Sequence, residues 1–195
     1  MSADAIFRVT QALRARLQQA LADAGDPGTV FIGPLDDPDA KGASLILFLY
    51  RILPNASMRN HEHRVASDNP PPVVLIFTNS LPLDLHYLIT VGTRPGSSEE
   101  PLLKTLGLAM QALNAEPDLS GAAIGHETVH VSLEPLSTEE ASRIWTLFPT
   151  ANYRTSVGYL ATPVWIDPQQ PAATAARVLE DGLRGGPKAR ELENV

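Results

Sequence analysis

His126-Glu127-Thr128-Val129-His130 is the sharpest chemical pattern in this 195-residue sequence. It spells H-E-x-x-H, which on a helix places two imidazoles on one face to hold zinc, with the glutamate activating the bound water. The surroundings read as a strand instead. Gly121 and Gly125 precede the motif, and Thr128 and Val129 are β-branched. Val129, Val131 and Leu133 then alternate with His130, Ser132 and Glu134. On a strand His126 and His130 share a face but sit about 13 Å apart, too far for one zinc with bonds near ~2 Å. A small zinc metallohydrolase using His126, Glu127 and His130 therefore stands only as an alternative.

Two further groups invite the same test. His61-Glu62-His63, with Asp68 nearby, has a ligand-like spacing but no specified third ligand, and a solvated loop is the expectation. Asp84 and His86 lie two apart in the run Leu81 to Gly92 and could pair as acid and base. No nucleophile stands beside them, so a structural pair or a subunit contact is expected. Gly92 to Gly96 matches neither phosphate-binding glycine pattern, and no nucleophile elbow occurs. Trp145 and Trp165 are expected in the core. The residues thus mark no catalytic, cofactor or metal site.

The chain carries a net charge of -7 and no cysteine. The charge opposes a sequence-independent grip on nucleic acid, which needs a basic face. The missing cysteines remove disulfides and thiolate sites and fit a reducing compartment. Arg8, Arg14 and Arg16 interrupt any signal-like apolar run, and no segment reaches the ~18 apolar residues of a membrane span. Synthesis in the cytoplasm is expected.

The elements follow from periodicity. Ile6, Val9, Leu13, Leu17 and Leu21 predict a helix over Asp4 to Ala24, capped by Ser2 or Asp4 and ended by Gly25. Val30 to Ile32 reads as a short strand and Gly33 to Gly42 as a loop. Leu45 to Leu53, nearly all apolar, reads as a strand buried on both faces near the middle of a sheet. Asn55 to Pro72 reads as a surface loop, and Val73 to Thr78 as another strand. Asn79, Ser80 and Pro82 turn the chain into Leu81 to Gly92, whose strict alternation makes it the scaffold strand.

Ser97 and Glu100 form a capping box for a helix with the stripe Leu102, Leu103, Leu106, Met110 and Leu113. Leu119 to Ile124 reads as a helical turn and Thr128 to Glu134 as a strand. Ser137 and Glu140 cap a short helix carrying Ile144, Trp145 and Phe148. Tyr153 to Ile166 reads as a long strand, in which Pro163 signals an edge or a bulge. Ala172 to Leu183 carries a weak helical pattern. The fold class is α/β (α+β): one domain over residues 1–167 with a single core, a mixed sheet and helices packed on it. Residues 168–195 form a Pro/Ala/Gly-rich arm, flexible or ordered on assembly.

Five pieces in order carry a family resemblance: Ser44 to Asn60 (SLILFLYRILPNASMRN), Leu81 to Thr90 (LPLDLHYLIT), Leu102 to Leu119, Val129 to Trp145 and Tyr153 to Asp167. Together they resemble the cap, or tail-terminator, proteins of extracellular contractile injection systems, which are phage-tail-like particles. The resemblance implies a tail-terminator-like fold and a structural, non-enzymatic role. It implies a hexameric ring that docks on the distal end of the tube, anchors the last sheath ring and halts growth. Its partners would be other copies, the inner tube protein and the sheath protein, without nucleic acid, membrane or cofactor. A baseplate or adaptor part of the same particle is the other alternative. Interface candidates are the loop with Asp36, Asp37 and Asp39, the loop with Arg59 and His61, and the C-terminal arm.

Overall fold

The strand Leu81–Val91 lies inside the main sheet, paired with Leu45–Pro54 on one edge and Ser156–Ile166 on the other. The computed structural model describes residues 3–67, 73–92, 99–125 and 127–176. In chain order these form α1 (Ala5–Asp23), β1 (Val30–Ile32), a 3-10 turn (Pro38–Ala40), β2 (Leu45–Pro54), β3 (His63–Ser67), β4 (Val73–Phe77) and β5 (Leu81–Val91). There follow α2 (Glu99–Ala115), β6 (Asp118–Ser120), a second 3-10 turn (Ala122–Ile124), β7 (Thr128–Glu134), α3 (Thr138–Trp145), β8 (Ser156–Ile166) and β9 (Ala173–Ala176).

The main sheet has the order β1-β2-β5-β8-β7-β6. Only β1 and β2 run parallel; the other neighbours are antiparallel, so the sheet is mixed as expected. A second, antiparallel sheet has the order β3-β4-β9. The segment Val73 to Thr78 is thus a strand as read, but it belongs to this smaller sheet. Two of its neighbours differ from the sequence reading. The Asn55 to Pro72 loop contains β3, and the start of the Ala172 to Leu183 pattern is β9. Pairing with β4 overrides the helix preference of the alanines there. Residues of that pattern beyond Ala176 lie outside the described residues, as does Ser97 of the first capping box.

The α1 stripe is as read: Val9, Leu13, Leu17 and Leu21 are buried against Leu85, Tyr87 and Ile89 of β5. Asp4 does not cap α1 through its side chain; its carboxylate instead pairs with Arg8 at 2.5 Å. Gly25, at φ 72°, terminates the helix in the left-handed region. On α2, Leu106 and Leu113 face this core while Leu103 is exposed. The opposite face of β5 carries a second, smaller cluster that the single-core reading omitted. Leu88 packs there with Leu35, with Ile144 and Trp145 of α3, and with Phe148 just beyond that helix. The Ser137–Glu140 capping box is fully formed at the start of α3.

Two local readings change and a third, of Pro163, is decided between its two alternatives. β2 is buried only over its first three residues, and Arg51 to Pro54 are exposed. The reason is that β1 covers β2 only at Leu45–Leu47. Pro163 marks a bulge, not an edge: β8 lies between β5 and β7, and its register against β5 steps between Leu83 and Leu85. The Leu119 to Ile124 segment begins as β6 and is helical only over Ala122–Ile124. Among the described residues no helix is long and apolar enough to cross a membrane.

Two glycines give opposite expectations. A Cβ on Gly92 would stand 1.8 Å from the backbone oxygen of Ala43, whereas one on Gly107 in α2 meets nothing within 4 Å. Gly92→Ala is expected to lose at least ~2 kcal/mol of stability by overpacking, and Gly107→Ala to gain about 0.5–1 kcal/mol. Urea unfolding midpoints check both.

Candidate functional site

Asp84 and His86 leave the same face of β5, as their spacing requires, yet they do not pair with each other. Two residues of strand separate them by about 6.6 Å, and each meets a closer group across the sheet. Asp84 Oδ1 accepts hydrogen bonds from Asn55 Nδ2 at 2.9 Å and Thr162 Oγ1 at 2.5 Å. His86 Nδ1 lies 2.8 and 2.9 Å from the two carboxylate oxygens of Glu134. The acid–base pair is therefore replaced by two separate structural contacts.

The His86–Glu134 contact is the centre of a network between β5, β7 and β2. Tyr50 Oη donates to Glu134 Oε2 at 3.1 Å, and Arg51 Nη2 stands 3.4 Å from Glu134 Oε1. Burial, and then the charge and hydrogen bond of Glu134, push the Tyr50 phenol up to about 12, so it stays a donor. This arrangement holds a carboxylate in place. Its donors already occupy the carboxylate oxygens.

A second network lies where the two sheets meet. His63 on β3 is buried and uses both ring nitrogens. Nδ1 is 2.7 Å from Asp167 Oδ1, just past β8, and Nε2 is 3.1 Å from Glu127 Oε2, just before β7. Ser80 Oγ donates to the same Asp167 oxygen at 2.7 Å. The imidazole also stacks on Trp165, with centroids 4.5 Å apart and planes 8° from parallel. Burial lowers the His63 pKa, but the two carboxylates outweigh it and hold the pKa above its usual value. Burial raises Asp167 in turn, and its hydrogen bonds with His63 and Ser80 reverse that shift and hold it low. The cluster is a clamp of two carboxylates on one imidazole.

This clamp also decides how the sequence motifs stand. Glu127 of H-E-x-x-H faces His63, while His130 Nδ1 sits 2.7 Å from Asp118 on the surface. Thr128–Glu134 is strand, so the helix that the zinc pattern requires is missing. His126 and Asp68 lie outside the described residues. Of His61-Glu62-His63, only His63 is buried. His63, Glu127 and Asp167 can offer ligand atoms within 4.8 Å of one another. Metal there would have to displace the proton that His63 shares with its carboxylates.

The interface candidates lie as follows. Asp36, Asp39, Arg59 and His61 are exposed, and half-buried Asp37 caps the first 3-10 turn by accepting from Asp39 N at 2.8 Å. The arm beyond Ala176 lies outside the described residues. Sequence reasoning did not assign Glu134, Asp167, Asn55 and Thr162 as partners. Only Glu134 had a signal, since alternation puts it on the polar side of β7.

The family model described as the Pvc16 N-terminal domain matches residues 8–180. The chain belongs to this family. No curated protein matches the sequence. Among solved structures, a PVC sheath/tube terminator from an extracellular contractile injection system, in the extended state, aligns with TM-score 0.60 and 18% identity over 95% of this chain. The anti-feeding prophage cap, a tube terminating cap, aligns with TM-score 0.56 and 20% identity over 93%. These alignments show the shared fold. The chain spans 64% and 60% of the length of those two proteins. A single-domain α+β architecture with a mixed sheet is thus the family fold.

The His63 clamp gives a signed expectation. With its folded pKa raised, His63 stabilises fully below its unfolded value of about 6.5, and loses that contribution as pH rises through the folded value. Asp167, with its folded pKa lowered, contributes above about 3.8 and loses that as pH falls through its folded value. His63→Ala is expected to cost about 3–5 kcal/mol near pH 6, typical of a buried pair losing one partner. The cost should shrink by pH 9. Denaturant titrations of both chains at the two pH values check this.

Proposed function

We propose that this chain is a structural cap that ends the tube and sheath of a contractile injection particle. The observation that carries the reading is the family match over residues 8–180, in a fold shared with two solved tube-terminating proteins. The cap acts as a hexameric ring on the last tube layer. It presents a face that accepts no further subunit and anchors the final sheath ring. Its partners are further copies, the tube protein and the sheath protein. The chain is made in the cytoplasm and leaves as part of the particle. Residues 1–167 supply the body of the ring and residues 168–195 an arm for assembly contacts.

The polar clusters support a non-enzymatic role. Both buried histidines are held by carboxylates from other strands, so the groups that resemble an active site serve to join elements. A net charge of -7 leaves little basis for gripping nucleic acid.

Particles assembled without this chain are expected to carry tubes and sheaths of uncontrolled length by electron microscopy. Normal lengths would remove the cap reading, and complete loss of assembly would favour a baseplate or adaptor role. His130→Ala, an exposed change in the H-E-x-x-H pattern, is expected to restore normal length as well as the unaltered chain does. Failure of that variant, together with zinc bound to the unaltered chain, would revive the hydrolase reading.

A further inference from the structure

The two edges of the main sheet are covered only in part. β1 pairs with β2 at Leu45–Leu47 alone, and β6 pairs with β7 only at Thr128–His130. Among the described residues no strand pairs with the outer edge of β2 from Phe48 to Leu53, or of β7 from Val131 to Glu134. The Val131 N–H alone is taken there, by Pro117 O at 2.8 Å.

These two open stretches lie at the same level. The registers align Ile52, Leu85, Ala161 and Val131 in one row across β2, β5, β8 and β7. The next rows are Arg51, His86, Leu160 and Ser132, and then Leu49, Tyr87, Tyr159 and Leu133. Tyr50 is the extra residue of the β2 bulge and has no place in these rows. Three antiparallel steps separate β2 from β7, so the two strands run in opposite directions. Copies related by rotation about an axis along the strands would therefore bring β2 of one against β7 of the next in antiparallel fashion. Because the open stretches are level, the contact carries no axial step, and a head-to-tail contact of that kind closes into a ring.

The side chains match as well. Leu85 and Tyr87 face the main core, so Ile52 and Leu49 in their rows share that face. Ile52 is 43% exposed and Leu133 56%. Beside the β7 edge, on that same face, a groove of about 490 Å³ runs along α2, lined by Met110, Leu113, Val131, Leu133 and Tyr159 among others. The β2 edge from Phe48 to Leu53 carries one charge, Arg51, and no lysine, with Pro54 only at the strand's last position, and the open β7 edge carries one opposite charge, Glu134.

We propose that the β2 edge of one copy adds as an antiparallel strand to the β7 edge of the next, seating Leu49 and Ile52 in the groove beside α2. Copies in the ring then share one continuous sheet. The proposal rests on the ring-forming reading above and supplies its contact.

The cysteine-free sequence makes a direct test simple. In a full-length chain carrying both Arg51→Cys and Ser132→Cys, the two positions of one copy lie three strand spacings apart. That is about 14 Å, beyond the ~7 Å Cα reach of a disulfide, so any disulfide joins different copies. Oxidation of capped particles, and of the chain alone at high concentration, is expected to give a ladder ending in one closed species. Each single variant should give at most a dimer. Capped particles and concentrated chain that both lack the ladder would overturn the strand pairing and leave the cap reading intact. Uncapped particles with a folded chain would overturn the cap reading. A ladder without a fixed end would overturn ring closure. Ile52→Lys with Leu133→Lys, both at exposed sites, should leave the circular dichroism spectrum unchanged and weaken self-association by about tenfold or more. Unchanged association of that variant would also overturn the pairing.

Discussion

The structure depends on the near-complete enclosure of β5, which leaves only Leu81 exposed. Both of its edges are paired, with β2 and β8, and both of its faces are covered, by α1 and α2 on one side and α3 on the other. A strand in that position has no water to satisfy its polar side chains, so each must find a protein partner. Tyr87 Oη lies 2.8 Å from Thr10 Oγ1, and Thr90 Oγ1 donates to Thr155 O at 3.1 Å. His86 finds Glu134, and Asp84 finds Asn55 and Thr162. Each bond names an element and fixes it: α1 through Thr10, β7 through Glu134, and the bulged end of β8 through Thr162. Burial pushes the Tyr87 phenol well above its usual range, so this hydroxyl remains neutral in the core.

The same logic describes the clusters that look catalytic. Acid–base work needs a group poised to exchange a proton with something that enters. Here the carboxylates are bound from several sides by groups of the chain itself. Glu134 is shared by Tyr50, Arg51 and His86, and the His63 ring is held at both nitrogens and stacked on Trp165. His63 in particular joins three segments, β3 and the ends flanking β7 and β8, and so ties the small sheet to the large one.

Much of this was legible in the sequence where the signal is local. The alternation of β7, the α1 stripe and the Ser137–Glu140 box each depend on spacings of two to four residues and formed as read, as did the β5 strand itself. The alternation of β5, however, marked a half-buried strand, and β5 is buried on both faces because α3 covers the mixed one. The small sheet was not legible, because Val73–Phe77 is apolar without alternation and the sequence does not say which face or partner it takes. The alternation of β3 could have been read from His63, Val65 and Ser67, which point inward, but the flanking charges suggested a loop. The His63 clamp left no local trace at all. Its members are 104 and 64 residues apart, and only the topology brings them together. The Asp84–His86 pairing failed for the converse reason: closeness in sequence along a strand places side chains side by side without bringing them into contact.

What the fold satisfies internally makes its unsatisfied places informative. The polar side chains of β5 find partners, although His86 Nε2 is left without one, the helix starting at Thr138 is capped, and the junction of the two sheets is closed by a histidine held between two carboxylates. The sheet edges receive no comparable treatment. β1 and β6 are three residues each and cover opposite ends of the sheet, so the stretches they leave open overlap in level, and these carry exposed Ile52, Leu53 and Leu133 with Arg51 and Glu134 as their charges. A chain selected to remain alone would place charges or prolines there, as edge strands commonly do. Acidic residues are available elsewhere on the surface, at Asp36, Asp39 and Glu139. Glu134 is the one acidic residue on these open stretches, whose exposed Ile52, Leu53 and Leu133 suit a surface that is covered.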